Sequence, residues 1–182
     1  IERLKRYIPR AGQFSDDGIT WRGGYGPRLR HWGPTGIDQI EEVISILRED
    51  PSSRRAVMQI FDPSTDLAPS KDIPCNNWLH FLIRDGKLNM HVAVRSNDLI
   101  WGFSGINAFE WSTLLEVMAG ELGVNVGKLV FSTSSLHAYE RHWDMLVNIC
   151  SDPMRGYYAD SPRYEAGKGT LYNLATRFLE IE

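Results

Sequence analysis

Two apolar runs joined by a tight turn constrain the fold more than any other part of the sequence. Residues 78–83 and 88–94 are both strand-like, and the four residues Arg84-Asp85-Gly86-Lys87 connect them. An Asp-Gly pair between two such runs is a strong short-range signal for an antiparallel hairpin. Apolar residues alternate with others from Leu79 to Ile83, as expected for a sheet with one buried face. The sequence therefore predicts a hairpin within a sheet.

Helical spacing predicts the rest of the framework. Apolar residues recur from Ile37 to Leu47 with the period of a helix, and Asp50-Pro51 ends the pattern. Residues 107–118 are apolar nearly all round, which indicates a central, buried helix. Residues 56–61 and 129–131 are short strand candidates, 138–149 is a predicted helix, and 21–28 is typical of a loop. One α+β domain over residues 1–182 is the simplest interpretation, and the sequence does not indicate how residues 151–182 are arranged.

Composition excludes several classes of protein. The net charge of -3 lacks the basic excess of a protein that binds duplex nucleic acid. No apolar run has the length of a membrane-spanning helix, and the first residues lack the apolar core of a secretory signal. Cys75 and Cys150 are the two cysteines, far apart and outside any Cys/His cluster. We therefore expect a cytoplasmic protein with no disulfide and no metal site.

Polar side chains in several turns could form a binding site. Cys75 follows a turn-rich segment and precedes a strand, although a single cysteine is usually a small buried apolar residue. The pairs Arg54-Arg55 and Arg95-Ser96 could bind a phosphate, since guanidinium groups match its geometry, or could be solvated surface residues. Asn107 could read the edge of a base or cap its helix. His137 and Tyr139 project the same way if their segment is extended, and could bind a sugar hydroxyl.

Taken in order, these residues resemble the thymidylate synthase family over about two-thirds of the chain. The matching elements are Tyr25-Gly26, Trp32, Asp38-Gln39-Ile40, Asp50-Pro51-Ser52-Ser53-Arg54-Arg55, Pro74-Cys75, Arg95-Ser96-Asn97-Asp98, Gly102, Asn107, His137-Ala138-Tyr139 and His142. The resemblance implies a mixed sheet with flanking helices that packs against the sheet of a second subunit in a homodimer. It also implies one-carbon transfer from 5,10-methylenetetrahydrofolate to C5 of a pyrimidine nucleotide.

The resemblance gives each matching residue a role. Cys75 is the expected nucleophile, which adds to C6 of the pyrimidine. Arg95 and Ser96 would bind the nucleotide phosphate, and Arg54 and Arg55 would reach the same phosphate across the dimer interface. The expected contacts with the rest of the ligands are Asn107 to the base, His137 and Tyr139 to the sugar, and Asp98 and Gly102 to the folate. Arginine charge near Cys75 is also expected to favour the thiolate.

Several departures from the family pattern leave the reaction open. No counterpart of the family's acid–base glutamate precedes Tyr25, so the family's N-terminal part is missing from this sequence or has diverged. Asn76 replaces the usual histidine after the nucleophile, and the segment before Asn107 has one added residue. The family's tryptophan pair, which assists the final reduction to a methyl group, has no clear counterpart, although Trp21 is nearby.

Three functions fit this pattern. Methylation of dUMP to dTMP is the first. Hydroxymethylation of dUMP or dCMP is the second, with Asn107 favouring uracil because cytosine-specific relatives tend to have aspartate there. A catalytically silent protein that binds nucleotide or RNA is the third.

Overall fold

The computed structural model describes residues 1–151, and within them the chain forms a four-stranded mixed sheet and a short two-stranded sheet. The strands are β1 (Val57–Gln59), β2 (Asn76–Arg84), β3 (Lys87–Val94), β4 (Asn97–Asp98), β5 (Asn125–Thr133) and β6 (Leu136–His137). The main sheet has the order β1-β2-β3-β5, with only the β3–β5 pair parallel, and β4 pairs with β6. The predicted mixed sheet in an α+β fold is confirmed.

The predicted hairpin is present, and its turn explains its register. β2 and β3 pair antiparallel up to Arg84 and Lys87. Asp85 and Gly86 both have positive φ, 52° and 68°, the conformation that a two-residue turn between twisted strands requires. Glycine adopts it without strain and aspartate tolerates it, so the Asp-Gly pair fixes which residues face each other.

Six helices accompany the sheets within the described residues. They are α1 (Glu2–Lys5), α2 (Tyr25–Arg30), α3 (Gln39–Glu49), α4 (Pro63–Asp66), α5 (Asn107–Leu122) and α6 (Trp143–Ser151). A π-helical segment (Leu99–Ile106) precedes α5, and short 3-10 turns occupy Ala11–Phe14 and Glu140–His142. None of these helices is both long and apolar enough to cross a membrane.

Helices α3 and α5 cover one face of the sheet and build the core. Asp38 caps α3 by accepting from the amides of Ile40 and Glu41, and α5 ends at Gly123 in the left-handed conformation. The buried cluster joins apolar residues of both helices to alternating residues of β2 and β3. Its fully buried side chains include Ile44, Leu47, Phe81, Met90, Trp111 and Met118. The predicted core helix therefore lies where the sequence places it, and continues to residue 122.

Some element boundaries differ from the predictions. The 56–61 strand shortens to β1, because Asp62-Pro63 begins α4, and the 129–131 strand lengthens to β5. The predicted loop at 21–28 contains the start of α2, whose first turn tolerates Pro27 since an amide there needs no helical partner. The helix predicted from 138 starts at 143, because the chain before it pairs in β6. Residues 152–182 lie outside the described part of the chain.

Candidate active site

Arg95 holds the segment that carries Cys75. Its amide donates to the Cys75 carbonyl at 2.9 Å, its Nε donates to the Pro74 carbonyl at 2.9 Å, and its Nη2 donates to the Ile73 carbonyl at 3.1 Å. Pro74 is buried and Cys75 is half-buried against the core. The predicted nucleophile and a predicted phosphate ligand therefore form one rigid unit at the start of β2 and the end of β3.

The local environment of the thiol favours its protonated form. Burial raises the pKa of Cys75, and the negative charge of Asp72 adds to the shift, while the Arg95 guanidinium lowers it. The net direction is upward. The expectation that arginine charge favours the thiolate is confirmed for Arg95, but desolvation of the sulfur outweighs that charge.

Tyr25 and Asn76 form a contact beside the thiol that the sequence did not predict. The Asn76 side-chain amide donates to the Tyr25 hydroxyl at 2.6 Å, and the Tyr25 ring stacks on Trp111 with 5.3 Å between centroids. Burial, followed by the charge of Cys75, raises the pKa of Tyr25 to about 12. The hydroxyl therefore keeps its proton and can donate it. The signal was available, since Tyr25-Gly26 belongs to the family pattern, but no role was attached to Tyr25.

Asn107 is held by a second buried amide. Its Nδ2 donates to Oδ1 of Asn97 at 3.1 Å, and both residues are more than nine-tenths buried. The alternative role of Asn107 as a helix cap is wrong, since it is the first residue of α5 and its side chain makes no capping bond. A Cβ at Gly102 would collide with Oδ1 of Asn97, so only glycine fits beside this pair.

A π-helical segment leads into Asn107. Leu99–Ile106 has this wider winding, with a kink at Gly105. Such segments are rare and often lie at functional sites. Asp98 starts the segment, its Oδ1 accepting from the amides of Ile100 at 2.9 Å and Trp101 at 3.4 Å. Asp98 and Gly102, the predicted folate ligands, therefore have structural contacts of their own.

The β4–β6 pairing brings the predicted sugar ligands beside this segment. His137 pairs with Asp98, and the rings of His137 and Tyr139 meet edge to face at 5.2 Å. Their projection to the same side is therefore confirmed. Tyr139 is exposed, with the Arg141 guanidinium 4.2 Å from its ring centroid.

Arg54 and Arg55 lie away from Cys75 of the same chain. Both are exposed and precede β1, which runs antiparallel to β2 with Val57 opposite His80 and Gln59 opposite Trp78. The two arginines therefore approach the hairpin end of the sheet, whereas Cys75 and Arg95 lie at the other end. This placement keeps them out of the site built by their own chain.

The chain is similar to proteins of one kind. The family described as thymidylate synthase matches residues 13–160. Deoxyuridylate hydroxymethyltransferase of Bacillus phage SP01 is 43% identical over 146 residues, which cover 75% of this chain and 38% of the phage protein. The protein of the same name from Delftia phage PhiW-14 is 34% identical over 191 aligned positions, covering 99% of this chain and 51% of that protein.

A provisionally named thymidylate synthase of Methanosarcina acetivorans is 38% identical over 150 residues, covering 81% of this chain and 66% of the archaeal protein. The chain thus spans about half the length of the phage relatives, or less. The matched residues 13–160 include every residue that forms the site described above. Because this family matches residues 13–160, and the mixed sheet of the α+β fold carries the site residues in the family's order, the chain belongs to the thymidylate synthase family.

Proposed function

We propose that this chain carries the nucleotide site of an enzyme that transfers a one-carbon unit to C5 of dUMP and yields a hydroxymethyl product. The observation that carries the proposal is the clamp of Arg95 on the Cys75 segment. Two hydrogen bonds from the Arg95 guanidinium and one from its backbone amide hold the segment that carries the thiol, so a group suited to phosphate and the sulfur are fixed relative to each other.

Positioning is the main contribution of the site. Arg95 and Ser96 bind the phosphate, His137 and Tyr139 bind the sugar hydroxyl, and these contacts place the ring over Cys75. Fixing a nucleotide in this way turns the addition into an intramolecular step, which supplies much of the rate. The Nη1 of Arg95 makes no hydrogen bond to residues 1–151, so it is free to meet a phosphate oxygen.

Asn107 selects the base. The hydrogen bond to Asn97 uses one hydrogen of its Nδ2, which leaves a second hydrogen for O4 of uracil and the Oδ1 oxygen for N3–H. An unpaired buried amide is destabilising by about 1–3 kcal/mol, so the pair is strongly held in this orientation. This donor–acceptor order supports a uracil nucleotide as the substrate.

Cys75 then reacts at C6. The thiol first loses its proton, which its raised pKa makes unfavourable in the resting site. Its sulfur forms a bond to C6, the C5–C6 double bond shifts to C4–C5, and the C4 carbonyl electron pair moves onto O4. The product is an enolate whose C5 is nucleophilic. Arg95, with Arg54 and Arg55 of the second copy, would surround the phosphate and offset the negative charge that dUMP brings into the site.

The residues around Asp98 fit a folate. Oδ1 of Asp98 is occupied by two amides, and Oδ2 makes no hydrogen bond within residues 1–151, so it can accept from a pterin N–H. Trp101 and Phe103 follow on the π-helical segment and are exposed, which suits stacking on an aromatic ring. When bound, 5,10-methylenetetrahydrofolate supplies the one-carbon unit and, for a methyl product, the electrons that reduce it.

A hydroxymethyl product is favoured by two observations. The phage relatives are named deoxyuridylate hydroxymethyltransferases. Trp21, the tryptophan closest in sequence to the family's missing pair, donates its indole N–H to the Ala11 carbonyl at 2.8 Å and packs on Phe14. It is therefore committed to the N-terminal segment. Methylation to dTMP is the second candidate, favoured by the archaeal relatives named as thymidylate synthases.

A homodimer completes the site in this proposal. The face of β2 and β3 turned away from α3 and α5 carries half-exposed Trp78, His80 and His91. Packing this face against that of a second copy would bury these rings, and Arg54 and Arg55 would then serve the phosphate of the other subunit.

Product analysis tests the proposal. The protein is incubated with dUMP, dCMP and methylenetetrahydrofolate, and the nucleotide and folate products are identified by mass. Hydroxymethyl-dUMP with tetrahydrofolate supports the proposal, whereas dTMP with dihydrofolate supports methylation. No turnover, with no covalent adduct between Cys75 and a 5-fluoropyrimidine nucleotide, leaves a silent binding protein. In mixed dimers, Arg54→Ala and Cys75→Ser chains should together regain one working site.

A further inference from the structure

A cleft of about 440 Å³ opens where β2, β3 and β5 meet at the hairpin turn, and it has no assigned role. The side chains of Arg84, Lys87 and Lys128 line it with three positive charges, and Asp85 is the one carboxylate among its lining residues. We call it the turn cleft. Because β3 has eight residues and spans roughly 26 Å, the turn cleft lies far from the Cys75 segment at the other end of the sheet.

The cations of the turn cleft repel one another. Arg84 and Lys87 are direct partners across the hairpin, the last pair before the turn. Like charges directly opposite on neighbouring strands destabilise a sheet, whereas an opposite pair would stabilise it. All three cationic side chains are exposed, and none of them forms an ion pair within residues 1–151. The whole chain has a net charge of -3, so this local positive excess runs against its composition. A bound anion would relieve the repulsion.

Asn89 fixes the two lysines of the turn cleft relative to each other. The register between β3 and β5 shifts at this point, which sets Asn89 opposite both Gly127 and Lys128. The Asn89 side chain donates to the Lys87 carbonyl at 3.3 Å and accepts from the Lys128 amide at 2.9 Å. A Cβ on Gly127 would lie 2.6 Å from Oδ1 of Asn89, so only glycine leaves room for this bridge. Bulges of this kind re-aim side chains and often lie beside functional sites.

We propose that the turn cleft is a second anion site, which binds a condensed phosphate, either free or as the phosphate tail of a nucleotide. Guanidinium and ammonium groups are the side chains that bind phosphate. Within residues 1–151 the Arg84 guanidinium donates from Nη1 alone, to the Ile83 carbonyl at 2.6 Å, so its other N–H groups can reach a phosphate oxygen. The three cations share one cleft, which suits a compact group with several negative charges, whereas a nucleic acid needs a longer row of cations.

Calorimetric titration with sodium tripolyphosphate tests the assignment. The full chain is titrated at about pH 7.5 and low salt, because salt screens exposed charges. Saturating dUMP is present throughout, so that the phosphate site of the substrate is filled. The parent should bind tripolyphosphate, and Lys87→Gln and Lys128→Gln should each weaken binding about fivefold. Arg10→Gln is the control, since Arg10 is exposed outside the turn cleft and the change removes the same charge.

Two further variants separate a specific site from general attraction between charges. Asn89→Ala leaves the charge unchanged, yet it should weaken binding about as much as Lys128→Gln, because both lysine backbones lose their shared hydrogen-bond partner. Lys87→Glu should abolish binding and raise the urea midpoint, since it places an opposite charge across from Arg84. Tripolyphosphate should also raise the Tm of the parent, by mass action, and leave the Tm of Lys87→Glu unchanged.

Absence of binding to the parent, or equal binding by the parent, Lys87→Glu and Asn89→Ala, would overturn the assignment. A single-stranded oligonucleotide that binds more tightly than tripolyphosphate would also overturn it, because such a ligand needs cations outside the turn cleft. Titration with ATP identifies the source of the phosphate. Tighter binding of ATP than of tripolyphosphate supports a nucleotide whose nucleoside contacts Val126, an exposed apolar residue of the lining, and equal binding supports a free phosphate chain.

Discussion

The buried Arg28–Asp66 ion pair fixes the position of α2, and with it Tyr25. Arg28 Nη1 and Nη2 donate to the two carboxylate oxygens at 2.6 and 2.7 Å, and the carboxylate is fully buried. The amide of Asp62 donates to the same carboxylate at 2.8 Å. Arg28 also donates to the Ile60 carbonyl at 2.7 Å, so the pair ties α2 to both ends of the segment after β1.

Replacing Asp66 by asparagine should destabilise the protein substantially. Breaking a buried ion pair by removing one partner costs about 3–5 kcal/mol, since the other charge stays buried. Asparagine keeps one acceptor for Arg28 but turns an NH2 group toward a second donor, so we expect the lower end, about 3 kcal/mol. In a chain of this size that corresponds to a fall in Tm of about 6–12 °C.

The pH dependence gives the prediction a second test. Burial alone raises the pKa of Asp66, but the hydrogen bonds from Arg28 and the Asp62 amide outweigh it, and the net pKa is lowered. A lowered pKa stabilises the fold above the unfolded value of about 3.9, and that contribution is lost as the pH falls further. The difference between parent and Asp66→Asn should therefore be full near neutral pH and shrink below about pH 4.

Urea unfolding followed by tryptophan fluorescence measures the effect. Asp62→Asn is the matched control, because asparagine caps a helix about as well as aspartate and Asp62 caps α4 through the Ser64 amide. A change below about 1 kcal/mol in Asp66→Asn would refute the reasoning, since it would equal an ordinary hydrogen bond rather than a buried charge left alone.

Three further predictions concern the site and its scaffold. Gly102→Ala should weaken dUMP binding, measured by calorimetry, about tenfold, because the added Cβ displaces the Asn97 oxygen that orients Asn107 and an unpaired buried amide costs about 1–3 kcal/mol. Gly26→Ala is the control and should bind dUMP normally, since a Cβ added there meets no atom within 4 Å. Iodoacetamide at neutral pH should label exposed Cys150 before half-buried Cys75, and Arg95→Gln should slow the labelling of Cys75 further, since Arg95 lowers the pKa of that thiol. If peptide mass mapping shows Cys75 labelled at the same rate in the variant and the parent, the pKa argument is contradicted. Gly86→Ala should destabilise the protein by about 1 kcal/mol in urea unfolding, because φ is 68° at this position and a side chain is strained there. An unchanged urea midpoint would count against the turn as the element that fixes the register of the hairpin.

The framework was predictable because local signals and burial agree. The Asp-Gly turn, the cap at Asp38 and the apolar period of α3 each specify an element without help from distant residues. The boundaries that were wrong depend on distant partners instead. The helix predicted from 138 is delayed because His137 pairs with Asp98, which lies some forty residues earlier and is invisible to local spacing.

The site shows the same division. Individual residues such as Cys75, Arg95 and Asn107 were found from an ordered pattern, but their partners were not. Asn97 belongs to the matched run Arg95-Ser96-Asn97-Asp98 but has no role in that pattern, and only the packing around Gly102 makes its side chain the support of Asn107. The sequence likewise does not predict the raised pKa of Cys75. That pKa depends mainly on how deeply the sulfur is buried, and less on which charged residues lie near it in the chain.

The placement of Cys75 opposite Arg95 depends on a single irregularity in the hairpin. Pairing runs without a shift from Arg84–Lys87 to Trp78–Ala93, and continuing that register would set Cys75 opposite Ser96. A bulge between Asn76 and Trp78 shifts the strands, so that Asn76 pairs with Val94 and the Arg95 amide reaches the Cys75 carbonyl. The carbonyl of the bulged residue, Asn77, accepts from the amides of both Ile60 and Phe61, which stabilises the shift. Because a one-residue slip turns side chains to the other face of a strand, the bulge decides which of Arg95 and Ser96 faces the nucleophile. The turn sets the register and the bulge corrects it by one residue where the chemistry is placed.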